Sequence, residues 1–213
     1  MAFSFPGPKA RPDRQNYGNR LPPGQQVVEG WPVRTQGAVP RIDLNAWTFR
    51  VWGEVEEELT LDWQEFMALP KTTVSTDAHC VEGWSIADNT WEGVAFREVM
   101  KRIRPKPEAR YVMVHSYGGY ATNVPLEDLL DDSVLFAYKH NGEELTPEHG
   151  WPLRLVVPKL YFWKSVKWVH GLCFMSEDRP GFWEGHGYHH RGDVWQEERH
   201  SQQRHLPQAR VDP

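Results

Sequence analysis

The 213-residue chain carries 24 basic and 29 acidic side chains, a formal net charge of -5, which argues against the clustered basic surface that nucleic-acid binding needs. Its length suits one large domain or two small ones, able to bury about 70% of the unfolded surface, and two cysteines cannot form a disulfide framework. No run of about eighteen apolar residues marks a membrane span, and the opening MAFSFPGPKARPDRQNYGNRLPPGQ shows neither the apolar stretch of a signal peptide nor a twin arginine, so a reduced, cytoplasmic chain is expected.

Eleven Trp, seventeen Pro and seventeen Gly describe a loop-rich chain packed largely by aromatic rings. Residues 1–30, with Pro22-Pro23-Gly24, read as an irregular arm. WPVRTQG, residues 31–37, places Arg34 among turn formers, either as a solvated loop residue or as an anion contact. Trp47, Phe49 and Val51 alternate with Thr48, Arg50 and Trp52, the pattern of a half-buried strand. Asp62 and Glu65 have capping-box spacing before the short helix DWQEFMAL, which Pro70 stops. The β-branched KTTVST leads into Cys80, and the polar, Gly-containing EGWSIADNTWEG that follows reads as a loop.

Val94, Phe96, Val99, Met100 and Ile103 recur at helical intervals up to Pro105. YVMVHS, residues 111–116, reads as a buried strand, and Tyr117-Gly118-Gly119-Tyr120 turns the chain. Asn123 is expected to cap a helix over VPLEDLL, with Pro125 in its first turn. VLFAY is a further strand, and Asn141-Gly142 is a strong hairpin signal. LRLVVP and SVKWVHGLCFM complete the β-rich part, with Cys173 expected in the core. The tail from Glu177 onward holds His186, His189 and His190, which invite a metal reading or a solvated loop, with no nearby carboxylate or cysteine to complete a set. The expected organisation is an arm over 1–30, one domain over 31–176 and an irregular tail over 177–213. The expected class is α+β, built on mixed or antiparallel sheets with short helices.

Cys80 stands at the centre of TDAHCVEGW, a loop address where scaffolds place chemistry. Its thiol has three readings: an inert buried group, a nucleophile or a metal ligand. His79 is a poor base for it, because neighbours on an extended segment point to opposite faces. A zinc site lacks the C-x-x-C pattern. The ligand reading that remains is a lone thiolate completing the coordination of a metal delivered by a cofactor.

HGWPLRLVVP, residues 149–158, carries the pattern HG-x-P-x-R-x-x-VP, and SVKW follows at 165–168. With the Cys80 loop upstream, these motifs resemble the molybdopterin-binding domain of the sulfite oxidase family, and they look nearest to its small heme-free bacterial members, including the catalytic subunit of methionine sulfoxide reductase. The resemblance implies a mixed-sheet molybdopterin-binding fold and Mo-molybdopterin as cofactor, with Cys80 as the protein ligand to molybdenum. It assigns Arg154 to the pterin phosphate, for which a planar guanidinium is suited, and His149, Ser165, Val166, Lys167 and Ser116 to cofactor contacts. Pro32 to Gln36 resembles the family's amino-terminal cofactor loop, which gives Arg34 and Gln36 a role.

The departures from the family are informative. Sulfite oxidases carry a basic residue shortly after the cysteine, where this chain reads VEGWSI, and that speaks against sulfite. The sequence shows neither their carboxyl-terminal dimerisation domain nor a heme domain, which implies an external electron-transfer partner. A pocket built from Trp84, Trp91, Tyr117, Tyr120, Tyr161 and Trp163 would suit a neutral, apolar-tailed oxide. The expected activity is oxygen-atom or two-electron transfer with a small S- or N-oxide. Peptide methionine sulfoxide reduction, a non-catalytic pterin-binding module and a zinc protein using the histidine tail are the alternatives.

Overall fold

The computed structural model describes residues 8–10 and 17–201. Two sheets face each other. The first runs β1 (Gln26–Val27), β5 (Trp84–Ala95), β8 (Leu135–His140), β10 (Arg154–Val156), with β4 (Thr72–His79) also on β5 and β9 (Glu143–Glu144) on β8. The second has the order β3 (Leu59–Asp62), β2 (Thr48–Gly53), β11 (Val169–Met175), β6 (Tyr111–Ser116), β7 (Ala121–Pro125). Parallel pairing occurs in both sheets, β1 with β5 and β11 with β2, and the other ladders are antiparallel, as the α+β expectation required.

The core between the sheets is aromatic. Phe49, Phe66, Phe96 and Phe136 are fully buried, and Phe49 meets Phe136 edge to face at 5.2 Å. Phe66 comes from α1 (Trp63–Met67), whose capping box forms as its spacing predicts: Asp62 accepts from the Glu65 amide, and Glu65 accepts from the Asp62 amide. Asn141 and Gly142 both take positive φ, which suits the tight turn from β8 into β9.

Several expectations are corrected by tertiary pairing. The polar segment after Cys80 is the twelve-residue strand β5. It crosses a bulge near Asp88, where the Asn89 side chain donates to the Ile86 and Thr76 carbonyls and so satisfies the interrupted ladder. Val94 and Ala95 belong to this strand, so the periodicity up to Ile103 yields only α2 (Phe96–Met100). Gly93 permits the close pairing with β8, since a Cβ there would lie 2.1 Å from the Phe136 carbonyl oxygen. Asn123 caps no helix: it lies in β7, and Pro125 precedes α3 (Leu126–Leu129). SVKWVHGLCFM becomes strand only from Val169, and Cys173 is half-buried rather than in the core, because β11 alternates its side chains.

Segments before β2 and after β11 are drawn onto these sheets. Gln26 and Val27 pair with Trp84 and Ser85. Beyond Glu177, α4 (Phe182–Gly185) supplies Glu184, whose carboxylate meets Lys164 at 2.7 Å with both side chains 0% exposed. Lys164 also donates to the carbonyls of Asn123 and His190 at 2.6 Å, and Glu184 accepts from Thr122 and Trp163. Replacing Glu184 by Ala strands a buried ammonium and is expected to lower stability by about 3–5 kcal/mol, read from the midpoint and slope of urea denaturation.

Candidate functional site

One cleft of about 390 Å³ opens where the 31–36 loop, the Cys80 turn, the 148–154 segment, the 162–168 segment and the 183–188 segment converge. All nine residues singled out from the sequence line it: Arg34, Gln36, Cys80, Ser116, His149, Arg154, Ser165, Val166 and Lys167.

Cys80 follows β4 directly and begins a tight turn, its amide donating to the Trp84 carbonyl at 2.8 Å and its carbonyl accepting from Gly83. Gly83 has φ +90°, a conformation that L side chains rarely take. Beneath the turn, the Gln25 amide donates to the Cys80 carbonyl at 3.0 Å, and Gln25 Oε1 accepts from the Ser85 hydroxyl. His79 Nδ1 hydrogen-bonds Ser85 Oγ at 2.8 Å, so His79 braces the turn from the far side and does not pair with Cys80. Burial pushes His79 down to about 4 and keeps its ring neutral. Burial likewise pushes the Cys80 thiol up to about 12, against an opposing amide contribution from Glu82. Without a compensating cation, this sulfur holds its proton.

The opposite wall is cationic. The Arg154 guanidinium is buried, donating to the His149 carbonyl at 2.8 Å and the Ser165 carbonyl at 3.0 Å. The rings of Phe162, Trp31 and Trp91 lie 4.5, 4.9 and 5.7 Å from its Cζ. Its Nε has no partner and, among the described residues, no carboxylate pairs with it. Burial alone lowers it to about 9. Lys167 faces Arg154 across an isolated bridge and donates to the carbonyls of Arg34 and Glu148 and to the Thr35 hydroxyl. Desolvation, then the charge of Arg154, pushes Lys167 down to about 7. Gly150, at φ +113°, leaves room for both: a Cβ there would lie 3.1 Å from the Arg154 Cβ and 3.2 Å from that of Lys167.

The remaining predicted residues support this wall. His149 stacks on Trp31 at 4.0 Å, and its Nε2 meets the Trp31 carbonyl. The Ser165 hydroxyl accepts from the Val157 amide, and the Val166 carbonyl accepts from Leu155. Ser116 ends β6, accepting from the Gly118 amide. Arg34 donates through Nε to both oxygens of Glu82, at 2.8 and 2.9 Å.

The aromatic lining differs from its expectation. Trp84, Tyr120 and Trp163 line the cleft. Trp91 lies fully buried behind Arg154, Tyr117 caps the Thr48 backbone, and Tyr161 lies under Arg199. Trp31, Phe162, Trp183 and Tyr188 take their places. Tyr188 stands within electrostatic reach of Cys80 and Glu82, between the histidines that invite a metal reading. Those histidines are taken up in local contacts: His186 bonds the Phe182 carbonyl, and His189 and His190 meet the side-chain carboxylates of Glu198 and Asp178. Among the described residues no group of three His, Cys, Asp or Glu side chains is placed to hold a metal. Tyr188 and Trp183 carry no sequence signal, because only the fold of the tail brings them to the cleft.

A sequence model of the oxidoreductase molybdopterin binding domain matches residues 36–183. The chain belongs to this family, the sulfite oxidase-like molybdenum oxidoreductases. It is 46% identical over 187 residues to the uncharacterized oxidoreductase YuiH of Bacillus subtilis (strain 168), covering 87% of this chain and 94% of the relative. It is 27% identical over 150 residues to a protein of Azospira oryzae named for a protein-methionine-sulfoxide reductase subunit, YedZ1, covering 70% of this chain and 57% of that one. The fold is shared with the sulfane dehydrogenase SoxCD of Paracoccus pantotrophus, at a TM-score of 0.60 and 23% identity over 65% of this chain and 40% of that chain.

The cleft fits Mo-molybdopterin on its own chemistry. A buried guanidinium without a carboxylate and a depressed lysine lack the anion that a phosphate provides, and a thiol held protonated by burial lacks the cation that a metal provides. At pH 8 Lys167 is mostly neutral, and an anion beside it favours the ammonium. Sulfate binding to cofactor-free protein is therefore expected to take up as much as about one proton at pH 8 and little at pH 6, with affinity falling as pH rises through 7. Calorimetry in two buffers of different ionisation heat measures this, and Lys167→Met is expected to abolish the uptake.

Proposed function

We propose that this enzyme carries out oxygen-atom transfer with a small S- or N-oxide, using molybdenum bound by Cys80. The observation that carries the reading is a single cleft with a buried thiol on one wall and an uncompensated Arg154–Lys167 pair on the other. Arg154 and Lys167 hold the pterin phosphate, and His149, Ser165, Val166 and Ser116 shape the groove beside them. Gln36 and the backbone of Arg34 close it from the 31–36 loop, through the Lys167 bond to the Arg34 carbonyl. When bound, the cofactor would supply the two-electron redox capacity of the reaction. In the reductive direction the oxide's S–O or N–O bond breaks, and its oxygen leaves as water with two protons and two electrons.

The chain's own side chains contribute binding and exclusion of water. Trp163, Trp183, Trp84 and Tyr188 form an aromatic wall suited to the apolar substituents of such an oxide. Trp163 and Tyr188 pack edge to face at 5.2 Å, which fixes the shape of that wall. An external redox partner provides the electrons, and a cytoplasmic setting accords with two free cysteines. Among the described residues no helix is long and apolar enough to cross a membrane. Reduction of peptide methionine sulfoxide is a narrower version of the same chemistry, favoured by the likeness to YedZ1.

Protein made in a host that synthesises molybdopterin is expected to carry near-stoichiometric molybdenum by plasma mass spectrometry. Cys80→Ser is expected to lose the metal or its sulfur-to-metal absorption, and to lose at least about a thousandfold in turnover, as when a group indispensable to the chemistry is removed. With a chemical electron donor the wild type is expected to reduce dimethyl sulfoxide or methionine sulfoxide. Zinc in place of molybdenum, or turnover of nitrate and of no S- or N-oxide, would overturn the reading.

A further inference from the structure

The rim of the cleft differs in charge from its depth. Arg34 lies on the 31–36 loop and Glu82 two residues beyond Cys80, and both line the cleft. Their side chains are 29% and 45% exposed, so as a surface ion pair they add little stability. The geometry is nonetheless specific. Both carboxylate oxygens of Glu82 accept from Arg34 Nε, and Oε2 also accepts from Trp84 Nε1 at 2.9 Å, so the carboxylate is held from two sides. Arg34 Nη1 donates to the Val33 carbonyl, and the Arg34 carbonyl accepts from Lys167, which fixes the loop carrying it.

We propose that Glu82 is the specificity-determining residue of the site, cancelling the charge of Arg34 at the rim so that the substrate admitted is uncharged rather than an oxyanion. This rests on the oxygen-transfer reading above and adds the substrate's charge to it. Arg154 lies deeper, and Lys167 is engaged by three oxygens, so the cationic character needed for an anionic cofactor stays away from the rim. Arg34 alone beside the Cys80 turn would be an oxyanion site, since a guanidinium matches planar and tetrahedral oxyanions. With Glu82 chelating its Nε, an incoming oxyanion must displace a carboxylate fixed by Trp84 and meets like charge while doing so. An uncharged oxide loses nothing to the pair and gains the aromatic wall.

Sulfate binding to the molybdopterin-loaded protein tests this through the fluorescence of Trp31 and Trp84, which line the cleft. Glu82→Gln keeps an acceptor for Trp84 and removes the charge; its sulfate affinity is expected to rise about tenfold or more over wild type, a typical worth for one unscreened charge at a partly desolvated site. Adding Arg34→Gln to that variant is expected to return affinity to the wild-type level. Arg34→Gln alone leaves the carboxylate at the rim, and is expected to favour methylguanidinium over sulfate. Unchanged sulfate affinity in Glu82→Gln, or a gain that survives loss of Arg34, overturns the proposal. So does wild-type protein that binds sulfate as tightly as the variant. Turnover is scored separately: failure of every S- and N-oxide as substrate defeats the oxygen-transfer reading while leaving the sulfate result to decide the charge of the rim.

Discussion

A buried guanidinium without a carboxylate governs the architecture of the cleft. Arg154 is held by two backbone carbonyls and three aromatic faces, which together stabilise a cation without neutralising it. Burial of an uncompensated charge is costly, and native structures retain one where a ligand completes it. Much of the surrounding sequence follows from that constraint. Gly150 must lack a side chain so that Arg154 and Lys167 can face each other. Trp31 must reach across from the 31–36 loop to cover His149 and the guanidinium. The 162–168 segment must leave the Ser165 carbonyl free to accept.

The second wall depends on segments outside the strands of either sheet. Gln25, from the amino-terminal arm, holds the carbonyl of Cys80, and Arg199, near the end of the described chain, bonds the Val81 carbonyl and covers Tyr161. Thus the residue before β1 and a mostly irregular carboxyl-terminal segment brace the Cys80 turn that joins β4 to β5. The buried Lys164–Glu184 pair holds that segment, and through it Trp183 and Tyr188 reach the cleft. The family match ends at residue 183, so Tyr188 and Arg199 lie beyond it.

What could be read before folding depended on the range of the interaction that encodes it. The capping box at Asp62 and the Asn141-Gly142 turn are local and appeared where expected. The pattern from His149 to Pro158 is local too, and with Cys80 it pointed to the family. By contrast, β5 has no apolar alternation through Asp88, Asn89 and Thr90, because these residues serve a bulge whose partners come from β4. Asn123 looks like a cap in sequence and is instead a strand residue that bonds Asp178 and Lys164. Helical periodicity up to Ile103 gave way to pairing of Gly93, Val94 and Ala95 with β8.

The sequence by itself determined the kind of chemistry: a lone loop cysteine, an arginine in the HG-x-P-x-R frame and a downstream S-V-K-W run belong to residue identity and spacing. Tertiary structure decided the electrostatics. That Arg154 has no carboxylate among the described residues, that Arg34 has one, that Lys167 is depressed to about 7 and that His79 is turned away from Cys80 are all consequences of burial and of partners far away in the chain. Charge acts through space and is weighted by solvent exclusion, and neither separation nor burial is written in the order of residues.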